Sequence, residues 1–346
     1  CKEELEKVAR RRPFPRDLLR APRVARSLLV AAVVMHSMQP TFIRLHDPKR
    51  WPRQAQALER TAAGCHVGEP GTLEATLGRT SHEGAPDFQV AMVLGNIVEA
   101  DPQFWSHTLP FIAKLALASE VLFPAKSSSP LHYLPPGLRG TVRLTRVHAA
   151  SVLALAFFDA IAPHKSPPIE EDWDMPEPTT CRHWWGIDNP YGGDECDEAK
   201  LICLVHYFKA ARESFASDLS EESIKRLASA DLSQASDLIT ISRLVVPEGV
   251  TNASAPEASK TWLQCDAPLQ PLQVVEKGGI EDAPNTLQAD FANEYIGGGV
   301  LCGGNVQEEI RFSICPECLV SMLLCPRCAL LITHDALCTE HRTQPG

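Results

Sequence analysis

Residues 145–161 are apolar on nearly every side when they are placed on a helix. They contain the run VHAASVLALAFFDAI, which leaves no broad polar face for solvent. A helix with this pattern is stable when other helices surround it, so the run predicts the interior helix of a bundle. Phe157 and Phe158 are expected in the core.

The composition limits the classes of protein that the chain can belong to. Its 346 residues, 44% hydrophobic and 22% charged, suffice for one large domain or two of usual size. The net charge of -10 argues against direct binding of a nucleic-acid backbone, which needs a surplus of Lys and Arg. Twelve cysteines at mostly wide, irregular spacings are expected to be reduced thiols.

The N-terminal region shows no membrane or secretion signal. Its longest apolar run, residues 27–35, is shorter than the roughly 20 residues that span a bilayer, so it predicts a buried helix. The chain begins with Cys1 and has no signal-peptide pattern, so we expect an intracellular protein that is incomplete at its start. The basic stretch at residues 10–26 could bind acidic partners or act as a nuclear address, and a solvated helix face is the favoured interpretation.

Helical signals alternate with loop signals over the first two thirds of the chain. Residues 46–86 are rich in Gly, Pro and Thr, which predicts a loop or a poorly ordered insertion. Asp101 is expected to cap a helix that has Pro102 at its first position. Residues 163–197 predict a long connection pinned by its tryptophans, and residues 198–216 predict a further helix. The tryptophans of the connection are Trp173, Trp184 and Trp185.

Strand signals begin near residue 235. The β-branched residues of 237–246 predict a strand, and residues 268–282 predict a strand, a glycine turn and a second strand. These patterns divide the chain into four parts. They are an N-terminal helical and loop region that is partly disordered (1–86), a helical accessory domain (87–235), part of a mixed α/β domain (236–330) and a tail (331–346).

One segment contains the residue types that suit the chemistry of a phosphorylated sugar. It covers residues 287–312 and reads LQADFANEYIGGGVLCGGNVQEEIRF. Glycines let backbone N–H groups approach a ligand and form concave nests that hold phosphate oxygens. A helix starting near Asn305 would add the partial positive charge of its N-terminus. The candidate nest residues are Gly297, Gly298, Gly299, Gly303 and Gly304.

Gln307, Glu308 and Glu309 would occupy the first turn of that helix. Hydrolysis of an O-glycosidic bond needs one acid to protonate the leaving oxygen and one carboxylate to stabilise charge or activate water. Taken singly, each motif has an ordinary explanation: two Glu residues complement a helix dipole, and a triple glycine forms a flexible turn.

Together these motifs resemble the eukaryotic poly(ADP-ribose) glycohydrolase family, which is marked by GGG, a short spacer and QEE after a DFAN-like stretch. The similarity extends upstream to KLICLVHYFKA at 200–210 and PLQPLQVVEKGGIED at 268–282. It implies an α/β fold in which a helical accessory region precedes a macrodomain-like mixed sheet. We expect that sheet to be incomplete, because the chain stops 37 residues after Glu309, before the family's second glycine-rich loop.

The resemblance also implies the roles of individual residues. Glu309 would be the general acid that acts on the leaving ribose oxygen, Glu308 would hold the ribose hydroxyls, and Gln307 would orient the pair. Asp290 and Asn293 would position the ribose and the catalytic Glu. The adenine pocket would include Ile280 and Glu281. If the resemblance to the family is set aside, Asp290 is equally well explained as part of a turn at a strand end, and Ile280 as a core residue.

The implied reaction is hydrolysis of ribose–ribose bonds in poly(ADP-ribose), which releases ADP-ribose and requires no metal or other cofactor. The expected partners are the polymer or poly(ADP-ribosyl)ated proteins, and no direct contact with nucleic acid or membrane is expected. We expect a monomer that is located in the nucleus or cytoplasm and takes part in the DNA damage response. The alternative is a truncated, non-catalytic ADP-ribose-binding module.

A third possibility comes from the C-terminal cysteines. Residues 315–328 contain CPEC and CPRC, and paired CxxC units are typical of zinc sites when a suitable loop separates them. Here the spacer is LVSMLL, which is short and apolar, so buried structural thiols are favoured. The residues of this motif are Cys315, Cys318, Cys325 and Cys328, followed by His334, Cys338 and His341.

Overall fold

The computed structural model describes residues 42–325 except 65–69, 82–89, 125–129, 136–138, 163–179, 186–193, 216–218, 230–237, 246–265, 267, 269–270, 272–273 and 284–285. The chain divides into two units, Cys1–Thr41 and Phe42–Gly346, and the described residues all belong to the second. The helix expected at 27–35, the basic stretch at 10–26 and the tail after 325 lie outside these residues.

Two helices occupy the segment predicted to be a loop. Helix α1 spans Trp51–Ala62 and helix α2 spans Pro70–Thr80, so the loop prediction for residues 46–86 is wrong. The prolines that suggested a loop stand at the helix starts, where the missing N–H has no helical partner to lose. The Gln54 side chain of α1 donates to the carbonyl of Thr80 and ties the two helices together.

The next helices form the centre of the bundle. Helix α3 spans Val90–Ala100, and a single π-helical turn, Phe104–Thr108, leads into helix α4, Leu109–Leu122. The Asp101 carboxylate accepts a 3.2 Å hydrogen bond from the Gln103 N–H and another from the Thr108 hydroxyl. The residue before the π turn is Gln103, so Asp101 and Pro102 lie in the turn ahead of the helical stretch, and the predicted cap is wrong by two residues.

The strand β1, Gly140–Thr145, runs directly into helix α5, Arg146–Phe157. Every residue of α5 after Arg146 is buried, as are Phe158 and Ile161, which confirms the predicted interior helix. Helix α5 packs against α4, and the Ser151 hydroxyl donates to the Leu115 carbonyl of α4 at 2.8 Å. The bundle core is therefore built on the segment with the strongest apolar pattern.

A 3-10 helix, His183–Trp185, and the helices α6, Asp194–Phe215, and α7, Glu221–Ser229, complete the helical region. Helix α6 confirms the prediction for residues 198–216 and begins four residues earlier. Trp184 and Trp185 are fully buried, so they pin the long connection as predicted. Trp173 lies outside the described residues.

The second strand, β2, spans Leu238–Arg243 and confirms the strand predicted at 237–246. It pairs antiparallel with β1, with Thr145 opposite Leu238 and Gly140 opposite Arg243. This pair is the one sheet among the described residues, and it joins β2 to the helical region.

The strand–turn–strand prediction for residues 268–282 is not confirmed where this segment is described. Gly278 has the left-handed φ of 98° that a glycine turn requires, but a 3-10 helix, Ile280–Asp282, follows it. Val274 and Val275 are exposed. A β-strand needs a neighbouring strand to pair its backbone N–H and C=O groups, and β1 and β2 pair with each other.

Two short helices follow the glycine-rich segment. Helix α8 spans Gln307–Ile314, and a 3-10 turn, Pro316–Cys318, leads into helix α9, Leu319–Leu324. Helix α9 packs against α5 and α8 packs against α6, so this segment shares the core of the bundle. Within the part of the chain described here, we find no helix with the length and apolar character to cross a bilayer.

Candidate active site

The two adjacent glutamates lie in the first turn of α8, as predicted. The residue before the helix, Val306, has an extended backbone, and α8 begins at Gln307. Glu308 and Glu309 are 3% and 6% exposed, although carboxylates are rarely buried without hydrogen-bond donors. The surrounding backbone supplies those donors.

Two upstream N–H groups hold the Glu308 carboxylate. Gly297 N–H donates to its Oε1 at 2.7 Å, and Asn293 N–H donates to its Oε2 at 2.8 Å. Burial raises the pKa of Glu308, and these two hydrogen bonds lower it again in part. Glu308 therefore holds a proton more readily than a glutamate in solution.

The Glu309 carboxylate is held in the same manner. One donor comes from residues 297–304, which we call the glycine loop, and the other from the start of α8. Gly299 N–H donates to Oε1 and Val306 N–H donates to Oε2, each at 2.9 Å. The second bond satisfies an N–H group at the start of α8, so Glu309 also fixes where the helix begins.

The glycines are needed because the carboxylates lie against the backbone of the loop. Gly297 and Gly298 have φ values of 86° and 52°, in the left-handed region that favours glycine. A Cβ at Gly298 would collide with Oε1 of Glu309 and lie 3.0 Å from Oε2 of Glu308. A Cβ at Gly304 would lie 2.8 Å from the carbonyl carbon of Gly299.

The N–H groups of the triple glycine already have acceptors within the protein. The N–H groups of Gly297 and Gly299 bind Glu308 and Glu309, Gly298 N–H donates to the Tyr295 carbonyl, and Gly304 N–H donates to the Gly299 carbonyl. The loop is a nest, but the anions it holds are the protein's own carboxylates. Phosphate binding by this loop stays a prediction.

Gln307 connects the DFAN segment to the helix through both atoms of its amide. Its Oε1 accepts from Phe291 N–H at 2.9 Å, and its Nε2 donates to the Ala289 carbonyl at 3.1 Å. This pair of bonds holds Asp290, the residue between the two partners, beside the glutamates. Asp290 is exposed, and slight burial together with the charge of Glu309 raises its pKa.

Asn293 contributes its backbone N–H to Glu308, while its side chain accepts from Tyr295 N–H at 3.1 Å.

Ile280 and Glu281 lie apart from these contacts. They belong to the exposed 3-10 helix Ile280–Asp282, whose hydrogen bonds are local: Gly279 N–H donates to the Asp282 carboxylate at 2.7 Å. Among the described residues, no hydrogen bond joins this helix to the glycine loop or to α8. Their predicted place in an adenine pocket stays a prediction.

The helical region contacts the residues around the two glutamates through bonds that the sequence did not indicate. Trp184 Nε1 donates to the Val300 carbonyl at 3.0 Å, and the Asn305 amide contacts Cys196 Sγ at 3.2 Å. Arg146 Nη1 lies 2.8 and 2.9 Å from the two carboxylate oxygens of Glu317, just after α8. Sequence separations of 109 to 171 residues explain why no local pattern could reveal these contacts.

The described cysteines do not form a metal site. Across residues 42–325, excluding the undescribed gaps, no group of three or more His, Cys, Asp or Glu residues is arranged to hold a metal ion. Cys325 is buried, and burial raises the pKa of Cys318 to about 11, as for a thiol in apolar surroundings. The remaining members of the motif, Cys328, His334, Cys338 and His341, lie outside the described residues.

The arrangement is suited to acid-assisted chemistry. Two neighbouring carboxylates are fixed by four backbone N–H groups, so their positions do not depend on flexible side-chain partners. Burial raises the pKa of Glu308, and the neighbouring charges of Asp290 and Glu309 raise it further, so this site favours a bound proton more than solvent does. One carboxyl can then donate a proton while the other stays ionised.

Comparison with known proteins decides the family. Residues 98–226 match the family model described as Poly (ADP-ribose) glycohydrolase (PARG), helical domain, and residues 259–336 match the one described as Poly (ADP-ribose) glycohydrolase (PARG), Macro domain fold. The chain belongs to the poly(ADP-ribose) glycohydrolase family. The poly(ADP-ribose) glycohydrolase helical domain precedes the macrodomain-fold region, which confirms the predicted fold class.

Individual poly(ADP-ribose) glycohydrolases show the same similarity. Poly(ADP-ribose) glycohydrolase 1 of Arabidopsis thaliana is 36% identical over 139 residues, 38% of this chain and 20% of the relative. Probable poly(ADP-ribose) glycohydrolase 2 of Arabidopsis thaliana is 28% identical over 246 residues, 66% of this chain and 41% of the relative. Poly(ADP-ribose) glycohydrolase 1 of Caenorhabditis elegans is 62% identical over 48 residues, 14% of this chain and 6% of the relative. The chain thus spans less than half the length of each of these relatives.

Proposed function

We propose that this protein hydrolyses ribose–ribose O-glycosidic bonds in poly(ADP-ribose) and releases ADP-ribose, with Glu309 as the general acid. The observation that carries the proposal is the buried pair Glu308 and Glu309, held by backbone N–H groups inside a chain of the poly(ADP-ribose) glycohydrolase family. A glycosidase needs two carboxyl groups with different protonation at the same site.

The position of Glu309 favours it over Glu308 as the acid. Cβ atoms placed on Gly298, Gly299 and Gly304 would each have Oε1 of Glu309 within 3.8 Å. Three residues without side chains therefore lie against this oxygen, and two of them, Gly298 and Gly299, are half-buried. Oε1 of Glu308 is bonded instead to Gly297, which is buried.

In the proposed reaction, the protonated Glu309 donates its proton to the ribose oxygen that leaves. The bond between that oxygen and the anomeric carbon breaks, the anomeric carbon gains oxocarbenium character, and water adds to it. Glu308 binds the ribose hydroxyls, and the negative charge near the sugar stabilises the developing positive charge. Water returns a proton to Glu309, which restores the starting state.

The remaining predicted residues complete the proposed substrate site. Gln307 holds the DFAN segment, so that Asp290 and Asn293 orient the ribose. Gly297, Gly298 and Gly299 contact the sugar through their backbone, while Ile280 and Glu281 border the adenine. The substrate is free polymer or poly(ADP-ribosyl)ated protein, and we propose that the protein acts as a monomer in the nucleus or cytoplasm.

The test is release of ADP-ribose from purified poly(ADP-ribose), measured by chromatography for the wild type, Glu309→Gln and Glu308→Gln. We expect Glu309→Gln to lower kcat by at least about a thousandfold and to leave ADP-ribose binding by calorimetry nearly unchanged. We expect Glu308→Gln to weaken ADP-ribose binding as well. The glutamine amide can accept from only one of the two N–H groups, those of Asn293 and Gly297, that the Glu308 carboxylate binds.

The outcomes separate the possible functions. Wild-type protein that binds ADP-ribose but releases none from polymer would support the non-catalytic binding module. Turnover that survives Glu309→Gln but not Glu308→Gln would transfer the acid role to Glu308. Wild-type protein that neither binds nor releases ADP-ribose would refute both functions.

A further inference from the structure

Trp184 is a residue of the helical region that bonds directly to the glycine loop, at the residue after the second carboxylate-binding glycine. Its indole N–H donates to the Val300 carbonyl at 3.0 Å, and both residues are almost fully buried. Val300 follows Gly299, whose N–H holds Glu309, and Val300 N–H bonds back to the Gly297 carbonyl at 3.0 Å. A shift of Val300 would therefore move the donors of both glutamates.

The segment that carries Trp184 is itself fixed to the bundle core. Cys181 N–H donates to the Ala156 carbonyl at 3.1 Å, and Trp184 N–H donates to the Cys181 carbonyl at 3.0 Å. The hydroxyl of Thr180 donates to the buried carboxylate of Asp159. These bonds attach the tryptophan to the end of α5, the most deeply buried helix, so the indole is a rigid support for the loop.

We infer that Trp184 is a positioning residue for the proposed glycohydrolase reaction, acting through Val300 on the glycines that hold Glu308 and Glu309. This inference rests on the proposed function for its kinetic consequence. Its structural part, that one indole N–H fixes the glycine loop, stands independently. A misplaced acid slows the proton transfer more than it weakens binding of a long polymer, whose contacts extend beyond the acid.

The neighbouring residue provides a matched control. Trp185 is also fully buried, and its indole N–H also donates to a backbone carbonyl at 3.0 Å, but the acceptor is Phe157 at the end of α5. Trp184→Phe and Trp185→Phe each keep an aromatic ring and remove one N–H donor. They differ in whether the lost bond ends on the glycine loop.

The experiment uses the full 346-residue chain and measures thermal unfolding, hydrogen exchange of peptides covering residues 297–306, and kcat and KM on poly(ADP-ribose). We expect both variants to lose similar thermal stability. Only Trp184→Phe should exchange about tenfold faster over residues 297–306 and lose about tenfold in kcat with KM within about twofold of wild type. Equal effects of the two variants, or normal exchange and kcat in Trp184→Phe, would overturn the inference.

A second variant avoids the cavity that phenylalanine leaves. Benzothienylalanine at position 184 has nearly the shape of tryptophan and carries sulfur in place of the N–H. It should reproduce the faster exchange and the lower kcat, and wild-type behaviour would count against Trp184. If the wild type releases no ADP-ribose, the proposed function fails, while the exchange data alone still decide whether Trp184 fixes the loop.

Discussion

Gly297 and Glu308 are joined by a 2.7 Å hydrogen bond in which the glycine N–H donates to the carboxylate Oε1. The first glycine of the triple glycine thus holds the first of the two adjacent glutamates, and Gly299 holds the second. The spacing of GGG and QEE in this sequence has a direct physical consequence, because the loop and the helix start meet so that both carboxylates reach their backbone donors.

Replacing Gly298 by alanine should disable the site while leaving most of the fold intact. The new Cβ would meet both carboxylates, and a φ of 52° is unfavourable for alanine. We expect a loss of about 1–3 kcal/mol in the free energy of unfolding, measured with urea, and a fall in ADP-ribose release of at least about a hundredfold.

Gly95→Ala is the control for this substitution. Gly95 lies inside α3, and a Cβ there would meet nothing within 4 Å. Alanine is the better helix former, so this variant should gain about 0.5–1 kcal/mol of stability and keep full activity. Comparable losses in both variants would show that the glycine loop is not specially constrained.

The structure shows which parts of the sequence carried reliable information. Helices α5 and α6 follow from their apolar patterns, and α8, predicted to start near Asn305, begins two residues later at Gln307. Helices α1 and α2 were missed because Pro52, Pro70 and Gly71 indicate loops when read alone, yet they lie in first turns that tolerate them. The amphipathic pattern behind each proline was the better signal.

The residues of the site could be predicted from the sequence, but the hydrogen bonds that they make could not. Gln307, Glu308, Glu309 and the triple glycine are close in sequence, so their proximity could be inferred. Which N–H binds which carboxylate depends on φ values that the sequence does not specify. The bond from Trp184 to Val300 joins residues 116 positions apart, and only the folded bundle brings them together.

Two histidines, the buried His148 and the partly buried His46, should make stability depend on pH. Burial lowers the pKa of His46 and of His148 from 6.5 to about 4, with the Glu120 charge opposing this shift at His46. The unfolded chain binds more protons than the folded one between these values, so stability is full above pH 6.5 and falls as the pH drops towards 4. Each histidine should contribute about 3 kcal/mol to this loss.

Urea unfolding of His46→Gln, His148→Gln and the double variant between pH 4 and 7 measures these contributions. Each single variant should show a shallower dependence of unfolding free energy on pH, and the double variant the shallowest. A wild-type slope in the double variant would assign the acid sensitivity to other groups.

Glu317 should stabilise the connection between α8 and the helical region. Arg146 contacts both of its carboxylate oxygens, and the hydroxyl of the partly buried Tyr207 donates to Oε1 at 3.2 Å. The Arg146 side chain is half exposed, so solvent screens the pair and Glu317→Gln should cost only about 1 kcal/mol of unfolding free energy. Urea unfolding at neutral pH measures this loss.

The exposed pair of Lys225 and Glu221 on α7 is the comparison. Both side chains are solvent-exposed, so Lys225→Ala should leave the unfolding midpoint unchanged. An equal effect of the two substitutions would mean that Glu317 acts only as a surface charge.

The carboxylate pair is assembled almost entirely from residues that are close along the chain. The bonds that Gln307, Glu308 and Glu309 make to their backbone partners span at most 18 residues. Closing such short loops costs little chain entropy, and contacts of this kind can form early and quickly. The arrangement of the two carboxylates is therefore a local unit that can form early, and the long-range bond from Trp184 to Val300 then holds this unit in place.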